Sequence, residues 1–323
     1  METVPCPVCG GAEPVELFST PDPDGLGEVP FRLVRCRGCG LPFVNPRPTA
    51  SELGRFYFRE YYKKPSPLTA GLVAGAVRLL MRHRAGKILR RKASGRVLDV
   101  GCGEGSFAAE LARRGWEAWG VEVSPDGAAL ARGKGLIVFD KPLTECGLPE
   151  GHFDVVTLWH SVEHLADPEG YLREVRRVLK HDGVAFLAFP NGDGLEFRVF
   201  GPRWFHLDPP RHLYQFSPAT MARLLEKAGL RLESVDPHSW EYNPFGFYQS
   251  ALNAVSTEMN FVYKLLKGVR MPRLTLGARA WNLTAAAVLT PVLAPLAFVY
   301  AFLASSFGVS GCVAVYAVKS DAR

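Results

Sequence analysis

The sequence predicts an α/β protein: a doubly wound, seven-stranded and mostly parallel sheet, with a small cysteine module at its N-terminus and an apolar helical insertion before the last strand. Three observations carry this reading. Short apolar runs at 97–100, 118–123, 136–139, 153–158, 184–189 and 230–235 alternate with helical segments, the pattern of a parallel sheet covered on both faces. A glycine-rich turn follows the first of these runs. Four cysteines stand in two matched C-x-x-C-G pairs near the start of the chain.

The N-terminal module spans 1–62. Cys6 and Cys9 form one knuckle and Cys36 and Cys39 the other, each followed by a glycine, with a hairpin-like stretch between them. Four thiolates from two tight turns make a closed tetrahedral site, which suits a structural zinc ion (Zn²⁺). A redox pair or a rubredoxin-like iron centre are the alternatives, and two matched knuckles have no purpose in a single dithiol. Cys102, Cys146 and Cys312 are scattered and read as core residues. An aromatic helix through Tyr57, Phe58, Tyr61 and Tyr62 follows the knuckles.

A leading helix at 63–94 comes next. It carries Leu72, Val73, Val77, Leu80 and Met81 beside Arg78, Arg82, Arg84 and Lys87, so it reads either as a basic membrane-surface helix or as an ordinary covering helix.

The region 95–240 holds the sheet. Val97, Leu98 and Val100 form a buried strand that runs into Gly101, Gly103 and Gly105, and then into a helix at 107–114. The glycines let a ligand approach the backbone, and the helix start offers unpaired N–H groups. The spacing is G-x-G-x-G, not the dinucleotide pattern G-x-G-x-x-G, and Asp99 precedes it by two residues. A carboxylate there repels a pyrophosphate but accepts hydrogen bonds from a cationic amino-acid group. Glu122, at the end of the next strand, is placed for two ribose hydroxyls. The plain alternative, a structural turn with a surface Glu, leaves the ordered set of Asp99, three glycines and Glu122 unexplained.

This segment resembles motif I of the class I S-adenosyl-L-methionine-dependent methyltransferases. The two knuckles, the Asn45-Pro46-Arg47-Pro48 turn and the Tyr61-Tyr62 pair are similar to a zinc-ribbon leader found ahead of many bacterial methyltransferases. The resemblance implies a Rossmann-like sheet completed by an antiparallel last strand within 311–323. It implies a cofactor bound by Asp99, Gly101, Gly103, Gly105 and Glu122, with Asp140 at the adenine and His160 beside the cofactor. Asp140-Lys141-Pro142 departs from the commoner acidic-Ala pattern at that point. Glu163 and His164 are expected to open the next helix. For proton removal from an acceptor the candidates are His206, His212, His164 and Glu163, with Asp208 or Glu163 orienting the base; Asn191 and Asp193 are further candidates for reaching the acceptor. His160, Glu163 and His164 also match the inverted zinc-protease spacing, without an evident third ligand.

The insertion at 241–310 sets the expected partner class apart from that of a plain soluble enzyme. No charged residue occurs from Ala280 to Val318, and no acid from Met259 to Ser320, while Lys264, Lys267, Arg270, Arg273, Arg279 and Lys319 are basic. The stretch 282–307 has the length of a transmembrane helix, but Pro291 and Pro295 interrupt it and the last strand must return to the sheet. A re-entrant or interfacial helical hairpin is therefore expected, with Trp281 and Tyr300 as interfacial aromatics. A buried helical pair or a dimer interface is the alternative.

At 323 residues, 47% hydrophobic and 22% charged, with a formal net charge of +6, the composition is that of a globular protein. Ten Lys or Arg and no acid lie between Lys63 and Arg96, which suits an anionic surface, either lipid headgroups or nucleic acid. Met1-Glu2-Thr3 leads straight to the cysteines, so a cytoplasmic, reducing location at the inner membrane face is expected. The expected acceptor is a small or lipid-linked molecule, a saccharide or polyprenyl-type intermediate. A soluble sugar nucleotide and an RNA are the alternatives, the apolar stretch having no use on RNA.

Overall fold

The computed structural model describes residues 1–27, 29–56, 70–269, 271 and 274–320. The expected aromatic helix of Tyr57, Phe58, Tyr61 and Tyr62 lies outside the described residues, as do Arg270 and Arg273. In chain order the strands are β1 (Pro14–Thr20), β2 (Phe31–Cys36), β3 (Pro42–Val44), β4 (Arg96–Val100), β5 (Glu117–Val121), β6 (Ile137–Phe139), β7 (Phe153–Trp159), β8 (Leu179–Pro190), β9 (Leu230–Asp236) and β10 (Cys312–Lys319). The α-helices are α1 (Ala50–Leu53), α2 (Ala70–Leu89), α3 (Ser106–Ala112), α4 (Pro125–Arg132), α5 (Pro168–Val178), α6 (Leu195–Phe200), α7 (Pro218–Lys227), α8 (Asn243–Asn253), α9 (Phe261–Lys267) and α10 (Leu276–Ser306).

The chain divides into two compact units. One gathers Tyr62–Ala188, Ala222–Val235 and Val315–Arg323; the other gathers Met1–Tyr61, Phe189–Met221 and Asp236–Ala314. The sequence-based partition placed 95–240 in one domain. Phe189–Met221 instead clusters with the cysteine module, because its side chains complete that module's core.

The seven-stranded sheet has the order β6-β5-β4-β7-β8-β10-β9. β4 pairs in parallel with β5 and with β7, β5 with β6, and β7 with β8. Parallel strands joined by α3, α4 and α5 need apolar residues on both faces, and Val97, Leu98, Val155, Val156, Leu158 and Phe186 are all buried. The last strand, β10, enters between β8 and β9, as the seven-stranded expectation required.

Helix α2 does not present a uniform basic surface. Its C-terminal half turns Met81, Ala85, Lys87 and Ile88 inward, while Leu79 and Arg82 stay exposed. The Tyr316 hydroxyl donates to the Lys87 carbonyl at 3.4 Å, so this half is a covering helix.

In the other unit, β1, β2 and β3 form an antiparallel sheet with a bulge between Glu16 and Phe18. Phe31, Leu33, Val44 and Phe56 share a core with Phe197, Trp204 and Leu207. The segment 208–216 lies along β3: Val44 N–H donates to the Leu213 carbonyl at 2.9 Å and Gln215 N–H to the Pro42 carbonyl at 2.9 Å.

Helix α10 corrects the expected hairpin. It is a single helix of 31 residues with Pro291 and Pro295 inside it. A proline removes one backbone donor and disfavours the preceding turn, but packing can hold the helix across that loss. Here α8 supplies the packing: Tyr248 and Thr290 hydroxyls are 2.8 Å apart, and Phe247 stacks on Tyr300 at 4.2 Å. Tyr300 thus faces the protein, contrary to its expected interfacial place, while Trp281 is 54% exposed.

Candidate active site and cysteine centre

At the end of β4 the backbone must turn at once, because the strand on either side leaves no lateral room. Gly101 takes φ +76°, and a Cβ there would stand 2.9 Å from Ser161 Cβ. Gly105, at φ +75°, begins α3 where a Cβ would stand 2.6 Å from Leu136. Both positions therefore require glycine on two counts, conformation and space. The turn is fixed to β5 by Gly101 N–H to the Val121 carbonyl at 2.8 Å.

Glu122 faces this turn. One carboxylate oxygen accepts from Gly103 N–H at 2.8 Å and the other from Ser124 N–H at 2.8 Å. An ionised carboxylate offers about four lone-pair sites, so two stay available for a diol. Asp99 is buried, with the Thr157 hydroxyl donating to it at 2.7 Å. Burial raises its pKa to about 6, against the hydrogen bond from Thr157 and the field of Arg84. Arg84, on α2, lies over the Trp159 ring at 4.7 Å. Thr157 and Arg84 had no assigned role in the sequence reading. Thr157 is legible afterwards as the one hydroxyl in β7, while the contribution of Arg84 comes from packing distant in sequence.

Other candidates in this unit depart from expectation. Asp140 is more than half exposed and pairs with Arg132 at 3.2 Å, which holds its carboxyl below the usual range. Glu163 and His164 do not open an α-helix; they lie in a 3-10 turn, Val162–His164, and α5 begins at Pro168. Glu163 is fully buried and faces His160 Nδ1 at 3.3 Å. His160 itself has φ +49° directly after β7.

The histidines of 204–214 belong to the unit that holds the cysteine module. His212 Nδ1 is 2.7 Å from the His206 carbonyl oxygen. A carbonyl only accepts, so Nδ1 carries the proton and Nε2 is the basic nitrogen. Asp208, expected to orient a histidine, directs its carboxylate to Arg211. Arg211 is buried and also meets Asp24 at 2.9 Å, Asp22 at 3.4 Å and the Phe56 carbonyl at 3.1 Å. A buried guanidinium needs several acceptors, and it draws Asp208 away from the rings. Tyr214 hydrogen-bonds Arg47. The Asp-Pro-Pro-Arg-His-Leu-Tyr stretch thus anchors to the N-terminal module. Asn191 is also structural: its side-chain amide donates to the Ser310 carbonyl at 3.0 Å and its oxygen accepts from Asp193 N–H at 3.1 Å.

The four cysteines converge. Sulfurs of Cys6, Cys9, Cys36 and Cys39 all lie within 4.8 Å of one another. The two knuckles repeat one hydrogen bond each, Gly10 N–H to the Cys6 carbonyl at 2.8 Å and Gly40 N–H to the Cys36 carbonyl at 3.0 Å. Burial pushes the Cys39 thiol up to about 11; at Cys36 backbone and thiol hydrogen bonds outweigh burial and bring it to about 7. Four sulfurs at this spacing fit one tetrahedral, thiolate-preferring cation.

Residues 75–235 match the family model described as a methyltransferase domain. The ubiquinone biosynthesis O-methyltransferase of Cereibacter sphaeroides (strain KD131 / KCTC 12085) is 31% identical over 179 residues, covering 52% of this chain and 71% of that one. Its counterpart in Xanthomonas oryzae pv. oryzae (strain PXO99A) is 32% identical over 162 residues, covering 46% and 68%. Among solved structures, a SAM-dependent methyltransferase from Archaeoglobus fulgidus is 22% identical, with a TM-score of 0.47, over 75% of this chain and 94% of that one. With the Asp99, glycine-turn and Glu122 constellation on a sheet of this order, the chain belongs to the class I S-adenosylmethionine-dependent methyltransferases.

Proposed function

We propose that the protein transfers a methyl group to an oxygen of an amphiphilic, polyprenyl-type acceptor at a lipid surface, on the cytoplasmic side. The relatives named for ubiquinone biosynthesis support the oxygen acceptor. The observation that carries the lipid surface is α10. It is long and apolar enough to cross a membrane, yet only 11% of its most apolar window is buried. Val288, Val292, Leu296, Val299 and Leu303 form an exposed row at helical spacing, each between 47% and 66% exposed. Its other face is tied to its own unit near both ends. Trp281 Nε1 donates to the Val255 carbonyl at 2.9 Å, and the Ser305 hydroxyl to the Pro237 carbonyl at 3.0 Å. A helix held in this way lies along the protein, one side dry, and so rests in a membrane surface instead of spanning it. Lys267 and Arg279 are exposed near its start and suit anionic headgroups.

The bound cofactor supplies an activated methyl sulfonium. This chain orients it through Asp99 and Glu122, excludes water, and takes the acceptor's proton. His212 Nε2 is the base we assign, because its tautomer is already set by the His206 carbonyl. Replacing His212 by Asn is expected to lower kcat by about 10²–10⁴ with donor affinity unchanged. Equal kcat in the variant would remove His212 from this role. The reading as a whole is tested by incubating methyl-labelled donor with lipid and aqueous extracts separately. Label is expected in the lipid extract; label only in a soluble sugar nucleotide would replace the acceptor class.

Zinc is the ion we assign to the four cysteines, as a structural element of the ribbon. One zinc per chain is expected by elemental analysis. The double substitution Cys36→Ser, Cys39→Ser should abolish it and cost about 4 kcal/mol of stability, the linkage from an ion held at roughly a thousand times its dissociation constant. Iron with a visible charge-transfer band, or a stable metal-free protein, would contradict the assignment.

A further inference from the structure

Helix α2 has a half that its own unit does not cover. Along 81–89 it packs on the sheet, with Met81, Ala85, Lys87 and Ile88 buried. Before that, 70–80 continues the helix for about 16 Å at 1.5 Å per residue. Ala74, Gly75, Ala76, Arg78, Leu79 and Leu80 are exposed and Val77 is half-buried. Leu79 is 68% exposed. It stands two residues before Met81, about 160° round the helix from the covered face.

This half is poorly suited to water. Arg78 is its one charged residue, and Gly71 and Gly75 weaken a helix. A Cβ at either glycine would meet nothing within 4 Å, and neither has a positive φ, so no close contact or turn requires them. Arg78 and Arg82 stand four residues apart on one face, a like-charged pair that repels in solution. No acid occurs from Lys63 to Arg96 to offset them. Glu110 reaches Arg82 only at 3.9 Å and is engaged more closely by Arg113 at 2.6 Å and Arg114 at 2.7 Å.

We propose that 70–80 of α2 is a second lipid-contact element, resting in the headgroup layer of an anionic membrane. Leu79 and Leu80 enter the acyl boundary there, and Arg78 and Arg82 meet lipid phosphates. An apolar stretch of this length is too short to span a bilayer and long enough to lie in its surface. The charge pattern selects the partner. A symmetric contact with a second copy would bring each arginine pair against its like, whereas a negative surface relieves their repulsion. Nucleic acid would take the arginines but leave Leu79 in water. This contact belongs to the unit that holds the cofactor residues and is independent of α10, which lies in the other unit.

The test is hydrogen exchange followed by mass spectrometry on the full-length protein. It is run in buffer, with phosphatidylcholine vesicles, and with vesicles that also contain phosphatidylserine. Amides of 70–80 are expected to exchange quickly in buffer and at least about tenfold more slowly on the anionic vesicles. Neutral vesicles should slow them much less. The double variant Arg78→Gln, Leu79→Gln keeps good helix formers at exposed positions, so its melting temperature should match the wild type. In it, 70–80 should exchange quickly on anionic vesicles as well. Fast exchange of wild-type 70–80 on those vesicles overturns the proposal, as does a double variant that is still slowed. Slow exchange already in buffer would mean that another part of the chain or a second copy covers this half, and would also overturn it. Peptides from α10 report separately in the same experiment. Slowing of α10 alone would leave its lipid contact standing without that of α2, and slowing of α2 alone would do the reverse.

Discussion

Asp99→Asn is expected to weaken binding of S-adenosylmethionine by roughly 10- to 100-fold, the range for losing a hydrogen bond to a charged group. The carboxylate is buried against Thr157 at the end of β4, where the cofactor's ammonium group can meet it. Because burial raises its pKa to about 6, the pH dependence has a definite sign. Below pH 6 Asp99 is protonated before binding, so wild-type affinity should fall by up to about tenfold per pH unit. The asparagine variant should show no such dependence, and calorimetry at pH 5, 6 and 7.5 separates the two. Stability runs the other way. A raised folded pKa gives stability that is complete below about 3.8 and lost as pH climbs through 6. Asp99→Asn should therefore be more stable than wild type at pH 8, by roughly 1–3 kcal/mol. A variant that binds the donor normally and is no more stable would mean that Asp99 serves neither purpose.

The second large effect concerns α10. Val292→Asp with Val299→Asp places two charges on its exposed row, away from the α8 contact. Each valine buried in a lipid interface contributes about 1.5 kcal/mol, so the pair should lower partitioning into anionic vesicles by at least about a hundredfold. Donor binding should be unchanged, since the cofactor residues belong to the other unit. Raising salt should weaken wild-type binding partially, through Lys267 and Arg279, and leave the apolar part. If the double variant binds vesicles as the wild type does, the exposed row has another use. A second copy of the chain would then show as a change in oligomeric state.

The cofactor side was the most legible from sequence, because its signals are local. Asp99, the three glycines and Glu122 occupy two strand ends whose spacing is set by a few backbone turns, and the fold brings them together through Gly103 N–H. Asp140 was less legible, since the sequence offers no way to see that Arg132, one helix earlier, pairs with its carboxylate. The prolines of α10 misled for a related reason. The rule that proline breaks a helix is a local one, and α8 overrides it by packing across both positions. Asp208 stands two residues from His206 in sequence, which suggested a pair; Arg211, three residues on, carries the stronger field and is itself buried. Glu196 gave no signal at all. On a six-residue helix it looks like any surface acid, yet the fold leaves it 1% exposed.

A methyl donor held at the glycine turn and an acceptor drawn from lipid are tested together by one measurement. Methyl-labelled donor is given to the full-length protein with anionic vesicles containing a catechol that bears a farnesyl chain, and in parallel with the same catechol lacking the chain in solution. Transfer to the hydroxyl of the prenylated probe, dependent on vesicles and absent for the chainless one, is the predicted result. Equal transfer to both probes without vesicles would contradict the lipid acceptor, and no transfer by a protein that binds the donor would contradict the oxygen acceptor itself.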